Sequence, residues 1–136
     1  MQNRELRKQI RTLKQYMEPQ RIQDRAFNFA CRIIKLHEHL YCKGGAARRL
    51  ANQLLDSGTS IGANLEEADA GQSRNDFISK CAIALKEARE THYWLRLLSA
   101  TGQINPDQLA ELIKEANKII AILTTIVRKA RGDRKA

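Results

Sequence analysis

Proline is nearly absent from this 136-residue chain, with Pro19 and Pro106 the only two, and aromatic residues make up 5% of it. A β-sandwich or barrel draws on aromatic and β-branched residues and on frequent turn residues, so aliphatic helix packing fits the composition better. Both prolines sit where helices can begin. No apolar run approaches the roughly 20 residues of a membrane span, and no charged-then-apolar leader opens the chain. A soluble, cytoplasmic protein is expected. Three cysteines, Cys31, Cys42 and Cys81, form no paired spacing. In a cytoplasmic setting they read as free, buried thiols.

Catalytic and metal-binding patterns are missing too. A di-metal bundle needs Glu-x-x-His on two helices. The residues three past Glu38, Glu66, Glu67, Glu87 and Glu90 are Tyr41, Asp69, Ala70, Glu90 and Tyr93. His37 and His39 point roughly 200° apart around a helix and cannot share an ion. His92 stands alone and reads as a packed or surface histidine. No Ser-His-Asp order, phosphate-binding loop or dinucleotide glycine pattern occurs. Neither a catalytic residue, a cofactor nor a metal site is expected.

What is present is charge at the two ends and helical periodicity between them. The net charge is +9. Residues 1–14 carry Arg4, Arg7, Lys8, Arg11 and Lys14 against Glu5, and residues 126–136 carry Arg128, Lys129, Arg131, Arg134 and Lys135 against Asp133. Each end is therefore +4, which leaves +1 for the body. Basic ends on a near-neutral body point to a polyanion, RNA or DNA rather than membrane, with solubility as the plainer use of the charge.

Residues 1–18 place Leu6, Ile10, Leu13 and Met17 on a thin strip between basic residues, predicting a short amphipathic helix. A four-helix domain over 19–131 and a basic tail at 132–136 follow. The first long helix runs from about Gln20 to Tyr41, with Ile22, Ala26, Phe29, Ile33, Leu36 and Leu40 as its seam. Phe27, Ala30 and Ile34 widen that seam, so the helix should touch more than one neighbour. Lys43-Gly44-Gly45 ends it. The second spans about Ala46 to Ala70, with Ala47, Leu50, Leu54, Ile61, Leu65 and Ala68 inward. Arg48 and Arg49 near its start oppose the helix dipole, as a solvated pair or an anion-binding pair.

Ser73-Arg74-Asn75-Asp76 starts the third helix, and its inner strip is Phe77, Cys81, Ala84, Ala88, Leu95 and Leu98. Asn105-Pro106-Asp107-Gln108 starts the fourth, whose apolar arc of Leu109, Leu112, Ile113, Ala116, Ile119, Ile120, Leu123, Ile126 and Val127 is wider than one side requires. Short connections predict an all-α, up-down-up-down antiparallel four-helix bundle. The surplus apolar arcs on its first and last helices predict self-association.

Residues 57–68 are the segment to explain. Gly58 and Gly62 each cost a helix about 1 kcal/mol against Ala, and Ser57, Thr59, Ser60 and Asn64 also rank low. Two glycines four apart share a face and remove side-chain bulk there, so a neighbouring helix can come nearer than the usual separation of about 8–10 Å. On the same segment Ser60, Asn64 and Glu67 form a polar seam. Glu87 or Glu90 on the next helix could answer it, giving an interhelical network that sets register.

Two segments resemble the four-helix-bundle protein family of 23S rRNA intervening sequences. They are Gln53-Leu54 through Ser60-Ile61-Gly62-Ala63-Asn64-Leu65-Glu66-Glu67-Ala68, and Ile83-Ala84-Leu85-Lys86-Glu87-Ala88-Arg89-Glu90-Thr91-His92-Tyr93-Trp94-Leu95. That family's pattern is Ser-Ile-x-x-Asn-Ile-x-Glu-Gly, followed by a Glu-rich helix ending in Tyr-Trp-Leu. The resemblance covers about residues 22–130. Leu65 stands where Ile is usual and Ala68 where Gly is usual. It implies a homo-oligomer, typically a pentamer, of poorly defined function. A distant relative of the fold, the accessory protein of diversity-generating retroelements, implies a basic pentamer that binds a reverse transcriptase and nucleic acid.

The expected function is a non-catalytic, oligomeric bundle that binds RNA or DNA through Arg4, Arg7, Lys8, Arg11, Lys14, Arg48, Arg49, Arg128, Lys129 and Arg131. With few aromatics among them, phosphate contact should outweigh base stacking. The alternative is a protein-interaction scaffold with no nucleic-acid binding.

Overall fold

The computed structural model describes residues 3–9, 21–71 and 73–132. Residues 3–9 are helical (α1). Four long helices follow: α2 Ile22–Tyr41, α3 Gly45–Asp69, α4 Arg74–Ala100 and α5 Pro106–Ala130. Among the described residues there is no strand. The rest of the amphipathic stretch expected over 1–18 lies outside them.

The ends of these helices follow from local chemistry. Gly44 and Gly45, at φ 72° and 55°, turn the chain between α2 and α3 in a conformation that side-chain-bearing residues avoid. Ser73 Oγ accepts the Asp76 amide at 3.1 Å to start α4, and Asn105 Oδ1 accepts that of Asp107 at 2.9 Å to start α5. Pro106 follows at the first helical position, where no amide is needed.

Each long helix packs on its neighbour in sequence, α2 on α3, α3 on α4 and α4 on α5, and α2 then meets α5. The residues in contact run in opposite directions along adjacent helices. On α2 and α3, Ala26 lies by Gly62, Ile33 by Gly58 and His37 by Asn52. On α3 and α4, Ser57 meets Thr91 and Glu67 meets Lys80. One core of apolar side chains lies between the four, with Phe29, Ile33, Leu54, Ile61, Leu95, Leu98, Ile119 and Leu123 fully enclosed.

The glycine segment meets α2 as its composition implies. A Cβ placed on Gly58 would lie 2.9 Å from Ile33 Cγ2 and 3.3 Å from Ile33 Cβ, closer than side chains tolerate. At Gly62 the nearest atom to such a Cβ, that of Ala26, is 3.6 Å away, an ordinary contact. Gly58 is therefore a requirement of packing, while Gly62 is a tolerance.

Opposite this seam, α2 is tied to α5 by one two-pronged ion pair. Arg25 Nε and Nη2 donate to Glu115 Oε2 and Oε1 at 3.1 and 2.9 Å, with both side chains largely covered.

Several inward assignments differ from the structure. Phe27 is 67% exposed and Ile34 43%, so they face away from the core. Phe77, in the first turn of α4, is 37% exposed, and the first buried residue of that helix is Cys81, one turn on. Cys31 on α2 and Cys42 just past its end are exposed, and only Cys81 is buried. Burial raises the Cys81 thiol pKa, making it unreactive.

Gly58→Ala should therefore destabilise the protein by about 1–2 kcal/mol, overpacking outweighing the gain in helix propensity. Gly62→Ala should stabilise it by about 0.5–1 kcal/mol. Urea unfolding measures both, and the reverse order would refute the close approach at Gly58.

Candidate nucleic-acid interface

The ten basic residues expected to meet a polyanion fall into three groups. Arg4, Arg7 and Lys8 are exposed on α1, three and four residues apart and hence on one face. Arg11 and Lys14 lie outside the described residues.

Arg48 and Arg49 open α3. Arg48 explains how a cation is tolerated at a helix N-terminus. Its Nε donates to the Tyr41 carbonyl at 3.0 Å, and its guanidinium lies 4.4 Å from the centre of the Tyr41 ring. The charge that opposes the dipole of α3 thus sits on the last turn of α2, where a cation is favoured. Both arginines are exposed, but the Arg48 guanidinium is engaged with Tyr41.

Arg128 and Lys129 occupy the last turn of α5 and Arg131 follows as its cap, all three exposed. The helix dipole favours them there by about 0.3–1 kcal/mol each, a structural reason for their presence that leaves their charge facing solvent. Arg74, at the start of α4, donates through Nε and Nη2 to the Ala130 carbonyl and closes that helix end.

The second and third groups are far apart. Arg48 lies where α2 hands over to α3, and Arg131 lies at the end of α5 beside the start of α4. Between these two ends runs α3, 25 residues or about 37 Å long. One short stretch of nucleic acid cannot reach both on a single chain.

The structure brings Arg131 next to two cations that sequence reasoning passed over, Lys86 and Arg89. With Ala82, Leu85, Glu90 and Val127 they line a groove of about 440 Å³ between α4 and α5. The i, i+3 spacing of Lys86 and Arg89 is visible in the sequence, but their convergence with Arg131 depends on how α4 and α5 pack.

The polar residues expected to join α3 and α4 do different things. Ser60 Oγ donates to the Asp56 carbonyl at 2.6 Å and Asn64 Nδ2 to the Ser60 carbonyl at 2.8 Å, both within α3. Glu67 does reach α4, accepting from Lys80 Nζ at 2.8 Å on the surface. Glu87 and Glu90 stay on α4, where burial, then the neighbouring Glu90 charge, raises the Glu87 pKa. The buried polar link between the helices is Ser57 with Thr91, whose hydroxyl oxygens lie 2.8 Å apart. Both residues are almost fully enclosed. Thr91 also reaches the Glu87 carbonyl at 2.8 Å, so neither hydroxyl is left unsatisfied. Burial, aided by the Arg96 charge, lowers the His92 pKa and favours the neutral ring.

Among the described residues no three His, Cys, Asp or Glu side chains are grouped to hold a metal ion, and no helix is long and apolar enough to cross a membrane. These features define an all-α protein of four packed helices with exposed basic helix ends. The chain belongs to the 23S rRNA-intervening sequence protein family, which it matches over residues 18–125. It is 42% identical to a crystal structure from Bacteroides thetaiotaomicron VPI-5482, a protein with unknown function from the S23 ribosomal protein family. The likeness covers 79% of this chain and 99% of that one, with a TM-score of 0.74. A search of curated proteins finds no match.

Thr91→Val should cost about 1–2 kcal/mol by leaving the Ser57 hydroxyl poorly paired. The double variant Ser57→Ala/Thr91→Val should cost less than the sum of its parts, and strict additivity in urea unfolding would show that the two hydroxyls do not interact.

Proposed function

We propose that this protein is a non-catalytic, self-associating helical bundle that binds RNA or DNA through phosphate contacts, working in the cytoplasm. The observation that carries the reading is the placement of charge. A net +9 is concentrated at the chain ends, and Arg4, Arg7, Lys8, Arg49, Arg128, Lys129 and Arg131 are exposed. Low aromatic content supports backbone contact without base reading. The opposed contacts along adjacent helices support an up-down-up-down order for the bundle. An accessory role beside a reverse transcriptase is one use of such a bundle, in keeping with the retroelement resemblance.

Self-association has its own support. Phe27, Ile34 and Tyr41 are spaced seven apart on α2 and are 67%, 43% and 43% exposed. Seven-residue spacing sets them in one stripe, the pattern by which helices of separate chains pack. A homo-oligomer, a pentamer if the resemblance holds for subunit number, covers that stripe and repeats every cation around its axis. The same stripe favours a second reading, a protein-interaction scaffold in which charge serves solubility.

Fluorescence anisotropy with RNA and with duplex DNA over a salt series tests the binding, on protein whose mass is known from light scattering. The logarithm of affinity should fall linearly with the logarithm of salt concentration. Replacing Arg7, Lys8 and Arg11 together with Ala should flatten the RNA slope by up to about 2, at roughly 0.7 for each single-strand phosphate no longer neutralised. No binding at low salt would leave the scaffold reading. Phe27→Asp/Ile34→Asp should reduce the mass in solution to the 15.5 kDa of one chain. An unchanged oligomer would remove the α2 stripe as the interface.

A further inference from the structure

Most cations on the four long helices and at their ends that touch anything are matched inside the fold. Arg21 pairs with Asp24, Arg25 with Glu115 and Lys80 with Glu67. Arg48, Arg74 and Lys43 donate to backbone carbonyls, and Arg96 lies over the Tyr93 ring. Lys86, Arg89 and Arg131 differ: all are exposed, and none lies within 4 Å of a carboxylate among the described residues. They also differ from solvated surface cations such as Arg49, because they line one concave space, the α4–α5 groove, whose apolar wall is Ala82, Leu85 and Val127.

The lining holds three cations against one carboxylate, Glu90, with a second carboxylate, Glu87, close to Lys86 and Glu90, so the groove is net cationic. Like charge excludes the chain's own basic segments and metal cations as occupants. A wholly apolar segment would strip water from the cationic rim without replacing it. The remaining fit is an anion with weakly polar parts alternating with its charges, and a sugar-phosphate backbone has that form. The lining contains no aromatic ring for a base to stack on. Contact there should be independent of sequence.

We propose that the α4–α5 groove is a seat for the phosphodiester backbone of a single-stranded nucleic acid, with Lys86, Arg89 and Arg131 neutralising successive phosphates and Ala82, Leu85 and Val127 meeting the sugars. The assignment rests on the nucleic-acid reading above and adds a site to which, of the basic residues named from sequence, only Arg131 belongs. Glu90 acts against it, repelling phosphate from one edge, so the groove makes predictions of opposite sign at neighbouring residues of α4.

The test uses the full chain and a fluorescein-labelled oligouridylate, with anisotropy read over a salt series. Lys86→Gln/Arg89→Gln should flatten the log–log salt slope by about 0.7 per cation removed. Glu90→Gln should tighten binding about two- to fivefold at low salt and little at high salt, where screening has already hidden its charge. Thermal melts followed by circular dichroism should be unchanged, since all three residues are exposed. If the Lys86/Arg89 variant binds as wild type while the Arg7/Lys8/Arg11 variant loses affinity, the groove is overturned and the wider nucleic-acid reading stands. If wild-type protein binds no oligouridylate, the groove is overturned, and the wider nucleic-acid reading falls with it only where duplex DNA is not bound either. If polyglutamate binds more tightly than oligouridylate, and the Lys86/Arg89 variant loses that binding, the groove takes an acidic peptide and the phosphodiester assignment is overturned.

Discussion

Two helices can approach closely only where one offers no side chain to the gap, and the contact of Gly58 with Ile33 is where this bundle meets that condition. The helix that contains Gly58 is weak by intrinsic propensity, with two glycines and several short polar residues between Ser57 and Asn64. Its helical form must come from tertiary packing, and its place in the fold supplies that packing. It is covered by α2 along the Gly58–Gly62 face and by α4 at Ser57. Ala47, Ala51, Leu54, Ile61 and Leu65 complete its buried side. Neighbouring residues thus serve two contacts at once, Gly58 with Ile33 and Ser57 with Thr91. Rotating α3 to relieve one would break the other, so the pair fixes register on both sides.

The opposite seam is built differently. The contact of α2 with α5 is the smallest of the four helix pairings. Its two-pronged Arg25–Glu115 pair gives direction where apolar burial is limited. A partly covered pair of this kind contributes specificity of alignment more surely than net stability, because separating either charge from water offsets much of the attraction. A helix held firmly on one side and lightly on the other keeps a broad outer face. On α2 that face carries Phe27, Ile34 and Tyr41.

Much of this was legible in the sequence because it rests on local chemistry. Asn105-Pro106 and Ser73 with Asp76 mark helix starts whatever the fold, and Gly44-Gly45 marks a stop. The glycine pair on α3 announced close approach, since a helix carries two such residues without compensation only at a cost. Periodicity fixed the buried stripe of each helix but not its edges. Phe27 lies one position from Ala26 and Ile34 one from Ile33, a rotation of about 100°, and only the location of the neighbours decides which flank is covered. The polar seam was ambiguous for another reason. Short hydroxyl and amide side chains can bond a carbonyl one turn back as readily as a partner helix, as Ser60 and Asn64 do. Ser57 is just one turn away, and its link to Thr91 depends on the packing of α3 against α4. The convergence of Lys86 and Arg89 with Arg131 is a fact of three dimensions for the same reason.

Fold alone does not assign function, and a four-helix architecture hosts many. What bears on function here is that the apolar and basic features occupy different helices. The exposed stripe lies on α2, the groove lies between α4 and α5, and α2 and α4 are not adjacent in the bundle. If the proposed assembly runs through the α2 stripe, the groove would be repeated once per subunit. Modest phosphate contacts would then act together on one strand, and affinity would grow through multiplicity without any single deep site. The same arrangement relieves the geometric problem within one chain. Arg49 and Arg128 lie at ends separated by about the length of α3, too far for one short strand. In the proposed ring, equivalent cations on adjacent subunits would supply the neighbouring contacts instead. A polyanion following such a ring needs no aromatic platform and no base-specific pocket, which is consistent with the scarcity of aromatics along the whole chain.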